Sequence, residues 1–224
     1  MSATEGMGGP NGVVVESGAG LTVVPHPLAG HLLAALRDHR TEPERFRVLS
    51  RRLSAVLALE ATRDLPTRPV TVTTPVGETT VRVLDSTVVA VPILRAGLGL
   101  LEAVTDLLPD VAVGYAGLER DEATLQPTSY YLKVPPLEGR TVLLLDPMLA
   151  TGGSASFAVR LLEERGATDV RLVCVVAAPE GVERLRADHP GVRVVTAALD
   201  EGLDDRGYIV PGLGDFGDRL FGTG

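Results

Sequence analysis

Apolar residues recur at helical spacing in two early stretches. Leu28, Leu32, Leu33 and Leu36 share one face and predict a first helix over 27–40. Phe46, Leu49, Leu53, Val56 and Leu57 predict a second that runs to about Thr62. Thr41 and Glu44 stand ahead of it at capping-box spacing, with Pro43 in the first turn. Residues 69–74 and 79–84 alternate about Pro75-Val76-Gly77, which predicts a β-hairpin. From Val88 the rhythm changes. Apolar runs at 88–94, 111–116, 141–145, 170–177 and 192–197 predict strands, with a short one at 129–134. Amphipathic segments at 98–108, 154–164 and 180–188 predict helices between them. Strands without a polar face need cover on both sides, so the expected class is α/β, a mostly parallel central sheet flanked by helices. Residues 1–20 are Gly-rich and hold no aromatic side chain, as expected for a flexible extension, which leaves 21–224 as a single domain. Gly117–Pro127 has no period and is expected to be a mobile loop; Leu199–Gly224, rich in Gly and Asp, is expected to be irregular chain laid over the rest. Phe46, Phe157 and the leucine stripes are expected in the core.

The formal net charge of −8 argues against non-specific binding of nucleic acid or anionic membrane, so an anionic ligand needs a local site. No apolar run approaches the ~20 residues of a membrane span. Lys133, the single lysine, follows Leu132, which excludes a phosphate loop built on Gly-Lys-Ser/Thr. Cys174 is alone, so neither an intrachain disulfide nor a cysteine-based metal site is expected, and a buried, inert thiol is. No signal-peptide pattern opens the chain, and the expected compartment is the cytoplasm. His26, His31, His39 and His189 lack metal-ligand spacing; His26 is expected to cap the first helix or to pair with a carboxylate.

In an open parallel sheet, ligands sit beyond the carboxyl ends of the strands. Three segments there carry chemistry. The first is Asp146-Pro147-Met148-Leu149-Ala150-Thr151-Gly152-Gly153-Ser154. Its glycines let backbone approach an anion, the helix start offers unpaired N–H groups, and Thr151 and Ser154 add hydroxyls. Asp146 repels phosphate but suits sugar hydroxyls, so the segment suggests a ribose phosphate; otherwise it is a tight strand–turn–helix connection. The second is Arg95, after the strand that ends at Leu94, where a guanidinium can bind phosphate in a fork or pair with a local acid. The third is the polar segment with Arg120, Thr124, Tyr130, Tyr131 and Lys133, which reads as a lid over a polyanion or as a solvated loop.

With these residues in view the chain resembles the uracil phosphoribosyltransferase family, a branch of the type I phosphoribosyltransferases. The resemblance covers about residues 25–223. It rests on His26-Pro27-Leu28, Glu60-Ala61-Thr62-Arg63-Asp64, Val91–Gly99, Asp146–Ser154, Ala177-Ala178-Pro179-Glu180-Gly181 and Gly207–Thr223. It implies transfer of phosphoribose from 5-phospho-α-D-ribose 1-diphosphate (PRPP) to uracil, giving UMP and diphosphate in pyrimidine salvage. It implies that Asp146–Ser154 bind PRPP, with Thr151–Ser154 on the 5′-phosphate and Asp146 on the ribose hydroxyls. Arg95 and Arg120 resemble the diphosphate-binding arginines. Ile209, Gly214, Asp215 and Phe216 belong to a hood over uracil, residues 199–224, in which Asp215 also touches the donor. The catalytic set so implied is Asp146, Arg95, Arg120 and Asp215. The resemblance further implies Mg²⁺ held chiefly through PRPP, no metal held mainly by protein side chains, a β-arm at 69–84 that helps build a homodimer or larger homo-oligomer, and a GTP effector. The chain departs from the family where Phe216 replaces a common alanine and where Gly30 and Leu32 flank His31; Leu145 stands before Asp146 in place of the second acid of most type I relatives, as the uracil branch allows.

Overall fold

The computed structural model describes residues 20–120 and 127–223, the side chains of Arg120 and Pro127 excepted. The expected extension, apart from Gly20, lies outside them, as does 121–126 of the expected mobile loop. In chain order the elements are β1 (Leu21–Val23), α1 (Pro27–Arg37), α2 (Pro43–Ala61), β2 (Thr67–Thr73), β3 (Glu78–Leu84), β4 (Val88–Leu94), α3 (Leu98–Leu107), β5 (Ala112–Val113), β6 (Tyr115–Arg120), β7 (Pro127–Lys133), β8 (Thr141–Leu145), β9 (Met148–Leu149), α4 (Gly153–Glu163), β10 (Asp169–Ala177), α5 (Pro179–Asp188), β11 (Arg193–Leu199), β12 (Gly202–Leu203), β13 (Ile209–Val210) and α6 (Phe216–Phe221).

The central sheet runs β1-β11-β10-β8-β4-β6-β7, with β5 on β4 and β9 on β10. Every pairing in it is parallel except β6 with β7. The fold is therefore the α/β one that the apolar strands imply. Alternation along each strand divides the core into two layers. Leu143, Leu145, Val173 and Val175 pack with Phe46, Leu53, Leu57, Leu100, Phe216 and Leu220. Val142, Leu144, Leu172 and Cys174 pack on the other face with Val159, Leu162, Val182 and Leu185. Each such leucine contributes about 1.5–3 kcal/mol on burial.

Local details correct several expectations. The N-cap of α2 is Glu42, without a side-chain cap bond, so the capping box does not form; the Thr41 hydroxyl donates instead to Ala35 C=O at 2.6 Å. The first helix ends at Arg37, and Arg40 bonds the side chain of the C-cap Asp38. Leu28 is exposed, and Ala29 takes the inward position. His26 does cap α1, its Nδ1 accepting from Leu28 N–H at 3.1 Å. Phe157 is half-buried rather than core and lies 4.9 Å beneath the Arg160 guanidinium. The segment expected to be a loop from Gly117 is strand as far as Arg120 and returns as β7, with an irregular register at Gly117/Leu118. Its side chains at the sheet edge are largely polar, so the period of a buried strand is absent. The tail is also more regular than expected. It carries the small β12–β13 pair and α6, the latter capped by Asp215, whose Oδ1 accepts from Asp218 N–H at 2.8 Å.

At the amino ends of the strands, opposite the site described below, charges neutralise one another. Arg171 donates to Asp64 at 2.6 Å, to Asp169 at 3.0 Å and to Ala61 C=O at 2.6 Å. Arg193 pairs with Asp169 at 2.8 Å and with Asp64. Asp64 and Ala61 come from the motif Glu60–Asp64 at the end of α2, so this cluster ties α2 to the sheet.

Candidate active site

Two strand ends meet at the other edge. β4 lies beside β8 in parallel register, with Pro92 opposite Leu145. The residues that follow, Arg95 and Asp146, therefore enter one pocket. It measures about 220 Å³ and is lined by Ile93–Ala96, Leu118, Asp146 and Met148–Ala155. The turn after β4 presses directly on β8. A Cβ on Gly97 would collide with Leu145 C=O and would sit 2.7 Å from Ile93 C=O. Glycine is required there for close approach. The Leu94–Arg95 peptide is cis.

The floor of the pocket is the start of α4. Its N-cap, Gly152, has φ +76° and no side chain with which to cap the helix. Gly152 C=O accepts from Ser156 N–H at 2.9 Å, which leaves the N–H groups of the first turn, from Gly153 to Ala155, without helical partners. Together with the helix dipole and the hydroxyls of Thr151 and Ser154 they form a seat for an anion. Helix α5 backs the seat, since a Cβ on Gly152 would lie 2.8 Å from Gly181 C=O. That contact gives the Ala177–Gly181 motif its place. Pro147 is not in the lining; its carbonyl accepts from Val175 and Val176 N–H beneath the loop. Leu149 is buried as part of β9.

Asp146 is half-buried and lines this pocket. Burial pushes its pKa up to about 7, against a smaller opposing effect of a hydrogen bond from Met148 N–H. No arginine or lysine pairs with it among the described residues. Arg95 is exposed and has no carboxylate partner among the described residues; its guanidinium lies 5.7 Å from the Phe221 ring centroid in α6. Its alternative reading as one half of a local ion pair is thus not met. An unpaired cation and an unpaired acid share the pocket with an open helix terminus. Such a site offers separate places for phosphate, for sugar hydroxyls and for a second anion. Arg120 ends β6, the neighbour of β4, but its side chain lies outside what is described, as does Thr124.

The tail flanks this pocket. A Cβ on Gly207 would lie 3.8 Å from Thr151 Cγ2, and one on Gly217 would lie 3.7 Å from Ala96 Cβ. Ile209 and Phe216 turn their side chains into the core, Phe216 to 1% exposure. The Phe216 ring meets Phe46 edge-on, with centroids 5.1 Å apart. The larger residue at this position therefore fills the core, and only its backbone is left to face a ligand. Gly214 and Asp215 are exposed. Cys174 is buried and its thiol is pushed up to about 12 by burial, as an inert thiol should be. Among the described residues no group of three or more His, Cys, Asp or Glu side chains could hold a metal ion, and no helix is long and apolar enough to cross a membrane.

Sequence reasoning missed Arg37, Asp200 and Arg219, which fasten the tail. Their partners are mostly backbone atoms far along the chain, and no local spacing marks them. Helix α6 was findable, since Asp215 and Gly222 stand at its two ends as a capping pair.

Comparison with known proteins agrees with this geometry. The family model described as uracil phosphoribosyltransferase matches residues 23–223. A uracil phosphoribosyltransferase of Thermus thermophilus is 54% identical over 205 residues, 91% of this chain and 99% of that protein. One of Kineococcus radiotolerans is 55% identical over 208 residues, again 91% and 99%. A solved structure of a protein from Aquifex aeolicus superposes with a TM-score of 0.86 at 39% identity, over 90% of this chain and 97% of that one.

Proposed function

This chain belongs to the uracil phosphoribosyltransferase family, and from that premise we propose that it transfers phosphoribose from PRPP to uracil, giving UMP and diphosphate for pyrimidine salvage. The observation that carries the reading into chemistry is the pocket in which Asp146, Arg95 and the uncapped start of α4 converge beside the tail.

The bond from the ribose anomeric carbon to diphosphate breaks, and a bond to uracil nitrogen forms. Cationic character develops on the sugar, as in other glycosyl transfers. No protein nucleophile is required. The chain's task is to place the two reactants and to stabilise the departing anion. The N–H groups of α4 and the Thr151 and Ser154 hydroxyls seat the 5′-phosphate. Asp146 accepts from the ribose hydroxyls. Arg95 and Arg120 neutralise the diphosphate. Ile209 and Gly214–Phe216 read uracil through backbone groups, and a base that leaves those groups unpaired is rejected. The proton on the attacking nitrogen passes to Asp215 or to diphosphate. Mg²⁺ bound to the diphosphate oxygens would supply further charge neutralisation. Asp146, the one carboxylate in the pocket lining, is the residue of this chain that would meet the ion through water.

A homodimer is supported by the β2–β3 arm, in whose strands no side chain is buried and most are exposed, with Val76 99% exposed at its tip. A cytoplasmic location is supported by the single buried thiol. A GTP effector is part of the same proposal and is tested by adding GTP to the assay. That assay combines the purified chain, Mg²⁺, PRPP and uracil, with chromatographic detection of UMP. Absence of UMP, or faster product formation from another base, overturns the assignment.

A further inference from the structure

The tail is gripped from one side by two arginines that the reaction does not use. Arg37, the last residue of α1, donates to both carboxylate oxygens of Asp200, at 2.8 and 2.5 Å, and to Gly212 C=O at 2.6 Å. Gly212 N–H donates back to Asp200 at 3.0 Å. The Asp200 side chain is 4% exposed, so this bidentate pair is worth more than a surface ion pair. Arg219, in α6, donates to the next carbonyl, Leu213 C=O, at 2.7 Å. It also donates to Asp38 C=O at 2.7 Å and to Leu36 C=O, with its guanidinium 4.5 Å from the Phe46 ring centroid. The Asp38 carboxylate is engaged by Arg40, so Arg219 meets carbonyls and a π face.

Two consecutive carbonyls, of Gly212 and Leu213, are thus tied toward the end of α1. In a trans peptide the N–H points opposite to the C=O. Tying these carbonyls therefore turns the N–H groups of Leu213 and Gly214 the other way. Among the described residues neither N–H has an intramolecular hydrogen-bond partner.

We propose that Arg37 with Asp200, and Arg219, are positioning residues for the base: they hold the 212–214 peptide planes so that the Gly214 N–H, with that of Leu213 beside it, meets a carbonyl oxygen of uracil. The inference deepens the uracil phosphoribosyltransferase reading and rests on it. None of the three side chains touches substrate; each acts through the backbone it fixes. Removing one lets a peptide plane rotate, and a fixed donor becomes an adaptable one. The cost appears where the base is read and not where the donor is bound.

The test uses the full chain, the near-isosteric substitution Asp200→Asn, and the charge-conserving Arg37→Lys and Arg219→Lys, which remove the guanidinium fork. KM for uracil is expected to rise about 10- to 100-fold, the range for loss of one charge-assisted hydrogen bond. KM for PRPP, and its affinity by calorimetry without uracil, are expected to stay within about twofold. Discrimination against cytosine is expected to fall with the rise in uracil KM. Because Arg37 and Asp200 act as one unit, combining their substitutions is expected to add little to either alone. A variant that folds, by its thermal transition, yet keeps the wild-type uracil KM and base selectivity overturns the inference. So does a variant in which the two KM values rise together, as a merely structural role predicts. Should Asp200→Asn fail to fold, Arg219→Lys reads the adjacent carbonyl independently. Failure of the wild type to make UMP is a separate outcome and removes the parent reading; UMP formation with unmoved variants removes only this one.

Discussion

The two ends of the central sheet treat buried charge in opposite ways. At the amino end, Asp169 feels a burial effect that would raise its pKa, yet hydrogen bonds from Arg171, Arg193 and Thr141 outweigh it and hold the group at about 2. At the carboxyl end, Asp146 feels burial with no cation beside it among the described residues, and its pKa climbs to about 7. Both acids stand at termini of adjacent strands. One end has its charges neutralised within the chain. Among the described residues the other leaves an acid, an arginine and a helix terminus unpartnered, which suits a site for an anionic sugar. Stability and ligand affinity are thus drawn from the same kind of group, separated by whether the partner is internal or external.

The largest expected effects break the carboxyl end. Arg95→Ala or Asp146→Asn should lower turnover by about 10²- to 10⁴-fold, as loss of a pre-positioned charged contact does. The folded structure should persist, as circular dichroism would verify. A variant with near-normal turnover would take its residue out of the mechanism. Arg171→Ala is the mirror experiment. It strands Asp64 and Asp169 and should cost about 3–5 kcal/mol in denaturant unfolding, with kcat and both KM values unchanged in the folded protein. Phe216→Ala should cost a comparable ~3–5 kcal/mol, because the ring fills the core against Phe46. Loss of uracil affinity without loss of stability would instead place the ring in the base pocket.

The smallest effect sharpens the comparison through pH. Asp146 titrates higher folded than unfolded, so its contribution to the stability of the unliganded protein is fully present below pH 3.8. That contribution is lost as pH rises through about 7. Relative to wild type, Asp146→Asn should therefore be more stable at pH 8 than at pH 5 in thermal melts. Donor binding runs the other way, since the ribose hydroxyls need the carboxylate. KM for PRPP should fall as pH rises from 6 toward 8 in the wild type, with a flatter profile in Asp146→Asn.

Much of this was legible in the chain. The strand at 141–145, the loop after it and the start of the next helix lie within fourteen consecutive residues, so composition and spacing alone point to an open helix terminus beyond a strand end. Within the hairpin β6–β7, the sequence marks strand at 111–116 and 129–134 but not the Gly117–Arg120 end of β6, because polar side chains there leave no buried period to detect. Helix α6 was hidden by its Gly- and Asp-rich composition, although those residues are its caps.

The sequence by itself determined the α/β class and the strand–loop–helix connection with the types of residue that line it, because each follows from neighbours along the chain. Only the tertiary structure decided that Asp146 has no cation beside it among the described residues while Asp169 has two. It also decided that Phe216 turns inward, and that Arg37, held by Asp200, and Arg219 converge on two adjacent carbonyls although they stand near opposite ends of the chain. Those outcomes depend on which strands become neighbours and which atoms lose water. Burial and pairing are properties of the packed whole, and no local pattern encodes them.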